Sequence, residues 1–486
     1  MQFEPSITDQ YPLTERRGSP FPSGLPLFCF PDALEIYTES KSPSFFSFVQ
    51  TSESGAHILG CCLVLYEPIT AAARESLVNI YGARGDTENM ETARTARLVV
   101  PKCLCITSTW PFIDNFRKIL CQLYRISLSP SVMPLERYIC NFLDDVPAPP
   151  PGRVAINYYM GDLAVSFQCP PANRPHVWNS FPVDPLFECL NLSNVLLVMS
   201  AILAERQIIF VSTQLSLLTT CAEVLTSLMY PLRWSHVYIP ILPRALLGVF
   251  GAPVPFIVGI HSDFLKSVHC SIPDEAVVVF IDDNRVELGA LGLPPALPES
   301  RGRKLQAALT PLVSATFDRR LTPWKSVRLS HFDSAFNMSI RPDRANGTME
   351  QGKSNIDEIA LREAFLKFFV AIMKNYRKYL IYPSHETPNP LINFQQKDFI
   401  EDHPADWVDF LKSVLPTQAF CQFCDARISS SSLKDADIRF FDESIEAKHN
   451  RYTFRFFSVD TPFLNDQTNK HVKTVVAPAP SLEGLP

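Results

Sequence analysis

The sequence predicts a protein of mixed α/β and α+β class in three parts, and three patterns support this. In residues 191–263, runs with helical spacing alternate with short apolar runs, as in a mostly parallel α/β sheet. Before residue 145, strand-like runs precede a helical run, which is typical of an α+β unit. Beyond residue 331 the apolar spacing is helical. A chain of 486 residues also exceeds the usual size of one core, so several domains are expected.

The central part, residues 153–330, has the clearest elements. A buried helix is predicted over Asn191–Gln207 because the run leaves almost no polar face, and Ile208–Ser212 follows as a strand covered on both faces. The next helix ends near Tyr230, because Pro231 disfavours its continuation. The other strands predicted here are Val154–Asn157, Leu163–Gln168, Val237–Ile239, Pro255–Ile260 and Ala276–Asp282.

Residues 1–145 are predicted to form the α+β lobe. Strands at Phe45–Gln50 and Ile58–Tyr66 are expected to be joined by a glycine-containing turn at Ser52–Ala56. The other elements predicted here are strands at Phe28–Pro31 and near Lys102–Thr107, and helices near Phe112–Arg125 and at Leu135–Leu143.

A proline-rich linker at residues 146–152 separates this lobe from the central part and favours polyproline II geometry. Residues 331–450 are predicted to be helical, and the longest helical pattern runs from Ile356 to Leu380. Residues 451–486 are expected to form an extended, partly disordered tail, because Val475–Pro486 is rich in proline.

The composition argues against several classes of protein. A net charge of −6 and an isoelectric point near 6.0 argue against a general nucleic-acid binder, which needs a basic surface. The thirteen cysteines are scattered through apolar runs and the start lacks a secretory signal, so a reducing, cytoplasmic compartment is expected. The longest apolar stretch, Ala245–Ile260, is interrupted by prolines and is too short to span a bilayer.

The cysteines do not show the spacing of a complete metal site. Cys421-Gln422-Phe423-Cys424 resembles half of a zinc site, but four ligands are needed and no second pair is nearby. We therefore interpret Cys421 and Cys424 as core residues. The pairs Cys61-Cys62 and Cys103/Cys105 lie in strand-like runs and are interpreted as small apolar fillers. No metal site is predicted.

No catalytic constellation is predicted either. His261-Ser262-Asp263 would need convergence from separated positions to act as a relay, and no Gly-x-Ser-x-Gly elbow is present. The phosphate-binding glycine motifs are absent too, so no cofactor or bound nucleotide is expected. Glu205 and Arg206 stand where a buried helix meets a buried strand, which favours structural contacts over a functional role.

Polar residues that directly follow predicted parallel strands are the best candidates for contact with a partner. Open α/β sheets usually bind partners at the carboxyl ends of their strands. The candidates by this argument are Ser212, Thr213, Gln214, His261, Ser262 and Asp263. The alternative is that they are solvated loop residues that cap the next element. Asp144 and Asp145 are further candidates, because they stand next to the linker between two lobes.

Several of these runs resemble the DENN family, whose members are guanine-nucleotide exchange factors for Rab GTPases. The runs that resemble its central module are Ala204–Ser212, Tyr230–Trp234, Tyr238–Pro240 and Ala252–Ile260. Those that resemble its upstream, longin-like module are Pro101–Ile106 and Trp110–Phe112, and those that resemble its downstream module are Arg362–Phe369 and Phe440–Ile445.

The resemblance implies a longin-like N-terminal lobe and a central α/β lobe that together hold a Rab GTPase and promote release of GDP. Such an exchange factor performs no covalent chemistry and is neither a hydrolase nor a transferase. It would act in the cytoplasm, peripherally on vesicle or endosomal membranes. Family members usually open with a further hydrophobic strand before the segment corresponding to Ser6–Pro12, and its absence from this sequence motivates the alternative of a non-catalytic trafficking scaffold. Another alternative is membrane association through the basic, aromatic segment Leu361–Leu380.

Overall fold

The computed structural model describes residues 3–14, 21–22, 24–39, 41–51, 57–130, 133–152, 154–169, 181–268, 272–318, 356–383, 393–429, 435–453 and 473–481. These residues form three β-sheets and a helical C-terminal part. The predicted turn at Ser52–Ala56 lies outside the described ranges. Within those ranges, every helix is too short or too polar to cross a bilayer.

The N-terminal lobe is built on an antiparallel sheet, as the sequence predicts. Its strands β1 (Ser44–Thr51), β2 (His57–Pro68) and β3 (Val99–Ser108) are paired in that order. The helices of this lobe are α1 (Leu25–Cys29), α2 (Ala71–Ala83), α3 (Thr87–Thr95), α4 (Ile113–Leu128) and α5 (Leu135–Cys140), followed by a π-helical turn at Asn141–Asp145.

The strand predicted at Phe28–Pro31 is wrong, because this part of the chain contributes to the short helix α1. So short an apolar run cannot be assigned to strand or helix from periodicity alone. Pro26 lies in the first turn of α1, where the fixed φ of proline fits and its missing N–H is not needed. The helix then packs on the sheet, with the ring of Phe28 stacked 5.2 Å from that of Phe48.

Strands β4 (Val154–Met160) and β5 (Leu163–Gln168) form at the predicted positions, but they belong to a separate sheet. This hairpin packs on α4: the Asn115 side chain donates to the carbonyl of Ser166 at 2.8 Å, and the rings of Phe112 and Phe167 are 5.0 Å apart. The N-terminal lobe and the hairpin therefore share one apolar core.

Part of the predicted tail is an ordered strand. Residues Lys473–Val476 form β11, which pairs in parallel with β4 from Val154 to Asn157. This pairing satisfies backbone groups on the open edge of β4. The carbonyl of Ser481 also accepts a hydrogen bond from Arg137 Nε at 2.7 Å. A local proline-rich pattern does not identify a strand partner so distant in the chain.

The central sheet confirms the prediction of a mostly parallel α/β arrangement. Its strands are β6 (Ile208–Ser212), β7 (Val237–Ile239), β8 (Phe256–His261), β9 (Val277–Phe280) and β10 (Arg285–Glu287), in the order β10-β9-β6-β8-β7. Only β10 runs antiparallel to its neighbour. The surrounding helices are α6 (Asp184–Cys189), α7 (Leu192–Leu203), α8 (Leu215–Ser227), α9 (Ser262–Val268) and α10 (Glu299–Asp318), with a 3₁₀ segment at Arg244–Gly251.

The C-terminal part is helical, as predicted. Its helices are α11 (Glu358–Ile372), α12 (Gln396–Glu401), α13 (Val408–Val414), α14 (Gln418–Ile428) and α15 (Ala436–Thr453), with 3₁₀ turns at Tyr376–Tyr379 and Ala405–Trp407.

The helical pattern predicted from Ile356 to Leu380 is interrupted after Ile372, because tertiary contacts hold Tyr376 in a separate turn. The Tyr376 hydroxyl donates to Asp442 at 2.5 Å and accepts from Arg427 Nε at 2.8 Å. Tyr376 is also buried, together with Phe365, Phe368 and Phe369 of α11. These aromatic side chains pack inside the helical part, which argues against their use as a membrane-binding face.

Side-chain contacts to backbone groups connect the parts. Thr219 on α8 donates to the carbonyl of Ser47 on β1 at 2.5 Å. The Glu205 carboxylate accepts hydrogen bonds from the backbone N–H groups of Gln418 and Ala419 at 2.9 and 2.8 Å, at the start of α14. Arg206 donates to the carbonyl of Gly292 at 2.5 Å. The structural roles predicted for Glu205 and Arg206 are thus confirmed.

Candidate functional site

Three parallel strands end side by side at one edge of the central sheet. Ser212 closes β6 and His261 closes β8, and the two residues are direct neighbours in the strand register. Asp282 follows β9, which pairs with β6 on its other side. We call residues 212–214, 261–263 and Asp282 the strand-end cluster. The structure thus brings together all six residues that the sequence analysis singled out at strand ends.

Asp282 organises the loop that follows β6. Its Oδ1 accepts a hydrogen bond from Ser212 Oγ at 2.7 Å, and its Oδ2 accepts from the backbone N–H and the hydroxyl of Thr213 at 2.7 and 2.9 Å. Ser212 Oγ in turn accepts from the backbone N–H of Gln214 at 3.0 Å. The carboxylate therefore fixes the direction in which the chain leaves the strand. It acts as the side chain of an Asx turn does, although Asp282 is distant in sequence from this loop.

The His261 ring is held by two backbone contacts. Its Nε2 lies 2.9 Å from the carbonyl oxygen of Thr213, so this nitrogen carries the proton in the neutral ring. Its Nδ1 then accepts the backbone N–H of Asp263 at 3.3 Å. The carboxylates of Asp263 and Asp32 lie 3.8 and 3.9 Å from the same Nδ1. This arrangement locks the loop after β8 to the loop after β6.

Asp32 brings the N-terminal lobe to the edge of the strand-end cluster. The neighbouring carbonyl of Pro31 accepts a hydrogen bond from the backbone N–H of Arg244 at 2.8 Å, which anchors this segment on the central part. Burial raises the pKa of Asp32, although His261 and Arg244 act in the opposite direction. The site therefore spans two lobes.

The accessible part of the site is polar and acidic. The side chains of Asp263 and Asp32 are 81% and 45% exposed, and Thr213 is exposed. Ser212 is only 1% exposed and its hydroxyl donates to Asp282, so it is not positioned as a nucleophile next to His261. The geometry suits contact with a partner surface.

Asp144 and Asp145 occupy a different place. Both are exposed in the π-helical turn after α5, where Asp144 accepts a hydrogen bond from the Tyr11 hydroxyl and Asp145 accepts from Asn141 at 2.9 Å. These contacts lie on the side of the hairpin β4–β5 and not on the edge of the central sheet. The structure therefore does not join the two sets of candidates into one site.

Cys421 and Cys424 lie on α14, where Cys424 is fully buried. Burial raises the pKa of both thiols, as expected for side chains packed in a core. Their interpretation as core residues is consistent with this placement.

Asp282 and Asp32 belong to the site but were not predicted from the sequence. Asp282 was placed inside the predicted strand Ala276–Asp282, whereas β9 ends at Phe280, so the strand-end argument did not reach it. Asp32 lies in another lobe and no local pattern marks it, because its position depends on how the lobes pack.

We expect the Asp282→Ala substitution to lower the free energy of unfolding by about 1–3 kcal/mol, because the buried Ser212 hydroxyl and the Thr213 N–H lose their acceptor. Asp282→Asn should cost less, since the amide keeps one acceptor oxygen. The exposed residue Asp263 provides a control, and Asp263→Ala should change stability little. Urea denaturation measures all three variants, and equal costs for Asp282→Ala and Asp263→Ala would contradict the role of Asp282.

The fold is that of a multi-part α/β protein with a polar surface where parallel strands end. Three family models match it in chain order: the uDENN domain at residues 5–65, the DENN (AEX-3) domain at residues 99–284 and the dDENN domain at residues 394–444. Together these matches cover more than half of the sequence, and the chain belongs to the DENN-domain family. The resemblance found in the sequence is thus confirmed. The central match contains the whole strand-end cluster.

Proteins of the DENN family generally bind Rab GTPases and typically act as Rab exchange factors in membrane trafficking.

Proposed function

We propose that this protein is a guanine-nucleotide exchange factor that promotes GDP release from a Rab GTPase. The observation that carries the proposal is the match to all three DENN-family modules in their order along the chain. The protein would act in the cytoplasm, peripherally on vesicle or endosomal membranes, where its substrate is held.

The strand-end cluster is the proposed contact surface for the GTPase, through Thr213, Gln214, His261, Ser262 and Asp263, while the buried Ser212 holds the loop after β6 in place. Its geometry supports this role because the hydrogen bonds that Asp282 accepts from Thr213, and the contact between the His261 ring and the Thr213 carbonyl, hold both loops in place before a partner arrives. A preorganised surface loses little conformational entropy on binding. Asp32 extends the surface onto the N-terminal lobe.

Exchange on such a surface requires differential binding and no covalent step. The factor accelerates GDP release when it binds the nucleotide-free GTPase more tightly than the GDP-bound form. The exposed carboxylates of Asp32 and Asp263 suit this purpose, because they would repel the phosphates of a nucleotide held close to them.

The test is GDP release from a panel of purified Rab GTPases, followed by fluorescence with excess unlabelled nucleotide. We expect a catalytic amount of the chain to accelerate release from one Rab or a small group of Rabs. The combined Thr213→Ala, His261→Ala and Asp263→Ala variant should reduce that acceleration at least tenfold, whereas Asp409→Ala, on an exposed position of α13, should not.

The second set of candidates is tested separately. If Asp144→Asn with Asp145→Asn reduces exchange and the cluster variant does not, the contact surface lies beside the π-helical turn. If the chain binds a Rab without accelerating GDP release, the protein is a trafficking scaffold. Failure of every Rab to bind or respond would overturn the proposed function.

A further inference from the structure

Four cysteines of the N-terminal lobe meet in space although they are scattered in sequence. Cys62 on β2 lies directly opposite Cys105 on β3, and Cys103 lies two residues earlier on the same strand. Cys29, the last residue of α1, reaches this side of the sheet, with its Sγ 3.6 Å from Cys62 Sγ. We call these four residues the thiol cluster.

The interpretation of the strand cysteines as independent apolar fillers does not account for this convergence. Side chains alternate along a strand, so Cys103 and Cys105 share one face, and the register places Cys62 on that face as well. Cys61 points to the other face. The sequence hides the site because its members come from three separate elements and lack a Cys-x-x-Cys spacing.

The distances are close to those that a metal ion requires. The Sγ atoms of Cys29, Cys62 and Cys105 all lie within 4.8 Å of one another, and they form the one group of three or more metal-ligating side chains found in the described ranges. With Zn–S bonds of about 2.3 Å in a tetrahedron, ligand sulfur atoms stand about 3.8 Å apart. The Cys29–Cys62 separation of 3.6 Å is already close to that spacing.

Cys103 is the candidate for the fourth ligand, because the strand register places it on the same face of β3 as Cys105. Its Sγ contacts the carbonyl oxygen of Leu104 at 3.7 Å and lies outside the group of three sulfurs within 4.8 Å of one another, so binding a shared ion requires its side chain to rotate towards them. Cys103 and Cys105 are only partly buried, whereas Cys62 is fully buried, which leaves a route for an ion from the surface.

We propose that Cys29, Cys62, Cys103 and Cys105 bind one Zn²⁺ ion as a structural four-thiolate site. Soft thiolate ligands in a tetrahedral set favour zinc over magnesium or calcium. Each thiol that binds loses its proton and the oxidation state of zinc does not change, so the step needs no oxidant. The ion ties α1 to β2 and β3, and it thereby fixes the segment that carries Asp32 to the strand-end cluster.

The first experiment measures zinc in the full chain, purified under reducing conditions without chelator, by inductively coupled plasma mass spectrometry. We expect about one zinc ion per chain. Cys62→Ser and Cys105→Ala should each lower the content to a small fraction of that value. Cys61→Ser is the matched control, because Cys61 is the neighbour of Cys62 on the same buried strand but points to the opposite face.

Substitution of Co²⁺ for the bound ion tests the coordination geometry in the wild-type chain, so it does not depend on the variants. Exchange of the bound ion for Co²⁺ in the wild-type chain should give sulfur-to-cobalt charge transfer in the near ultraviolet and intense visible bands, which indicate tetrahedral thiolate coordination. Addition of Zn²⁺ to the chelator-treated chain should raise its melting temperature by several degrees, and the same addition to folded Cys105→Ala should not.

Several results would overturn the proposal. One is the absence of stoichiometric zinc together with an unchanged melting temperature on addition of Zn²⁺. Another is full zinc content in both Cys62→Ser and Cys105→Ala. A third is a Co²⁺ spectrum without sulfur-to-cobalt charge transfer. A Cys29–Cys62 disulfide detected by mass spectrometry in the reduced preparation would also overturn it. None of these measurements involves a GTPase, so they are independent of the proposed exchange activity.

Discussion

Replacement of Gly259 by alanine is expected to destabilise the central sheet strongly. Gly259 lies in the middle of β8, paired with Phe210 of β6. A Cβ atom at this position would lie 2.0 Å from the carbonyl oxygen of Pro240 and 3.1 Å from Leu218 Cβ. Real Cβ atoms do not approach a backbone oxygen so closely, so the chain around Pro240 would have to move.

That movement is costly because the neighbouring backbone is hydrogen-bonded. Leu242 donates its N–H to the carbonyl of Gly259 at 2.7 Å, which holds the segment after β7 against β8. Overpacking a well-filled core costs about 1–3 kcal/mol and more where backbone must shift. We therefore expect Gly259→Ala to lower the free energy of unfolding by about 3 kcal/mol or more, with loss of soluble protein at 37 °C.

The matched control is Gly251→Ala, at the end of the 3₁₀ segment, where an added Cβ meets no atom within 4 Å. Its stability should lie close to that of the wild type in urea denaturation. If Gly259→Ala had the same urea-denaturation midpoint as Gly251→Ala, the backbone from Pro240 to Leu242 would have to move at little cost in free energy. That result would contradict the close-packing argument.

The close approach of Gly259 to Pro240 also shows which features of the fold can be predicted from the sequence and which cannot. The strands β6 and β8 were predicted because their apolar runs are short, rich in β-branched residues and bounded by helical or turn-forming segments, which together favour a buried strand over a helix. The requirement for glycine at position 259 was not predicted, since it depends on where Pro240 lies in space. Local patterns identify elements, whereas contacts between elements follow from packing.

The candidate site likewise contains residues that could be predicted from local patterns and residues that could not. Its six strand-end residues could be found because the carboxyl ends of parallel strands share one edge, so the prediction needs only the strands and their direction. Asp32 could not be found, because it reaches the site from another lobe. The thiol cluster was missed for the same reason: alternation gives the face of each cysteine, but only the register of β2 and β3 shows that the faces coincide.

The second large effect is expected at the junction between the N-terminal lobe and the central sheet. Glu223 lies on α8, one turn after Thr219, whose hydroxyl binds the carbonyl of Ser47 on β1. The Glu223 carboxyl accepts a hydrogen bond from the Tyr238 hydroxyl at 2.8 Å, and the Tyr238 ring stacks on His57 of β2 at 5.7 Å. An ionisable carboxyl therefore sits within the contact between two lobes.

Burial raises the pKa of Glu223 to about 7, although the hydrogen bond from Tyr238 acts to lower it. Between its ordinary value of 4.5 and about 7, the folded protein holds a proton that the unfolded chain has released. The stability contributed by the protonated carboxyl is thus complete below pH 4.5, declines as the pH rises towards 7, and is lost above it. Burial of His57 likewise lowers the pKa of its own ring.

We expect Glu223→Gln to remove this pH dependence, because glutamine keeps an acceptor oxygen for Tyr238 and has no charge to bury. The variant should be more stable than the wild type at pH 8 by about 2–3 kcal/mol, and the difference should shrink towards zero near pH 4.5. Urea denaturation of both chains across this range measures the difference, with Glu75→Gln on the exposed side of α2 as the control. A difference that stays constant with pH would mean that Glu223 is already ionised in the folded protein, and the lobe junction would then have to accommodate a buried charge.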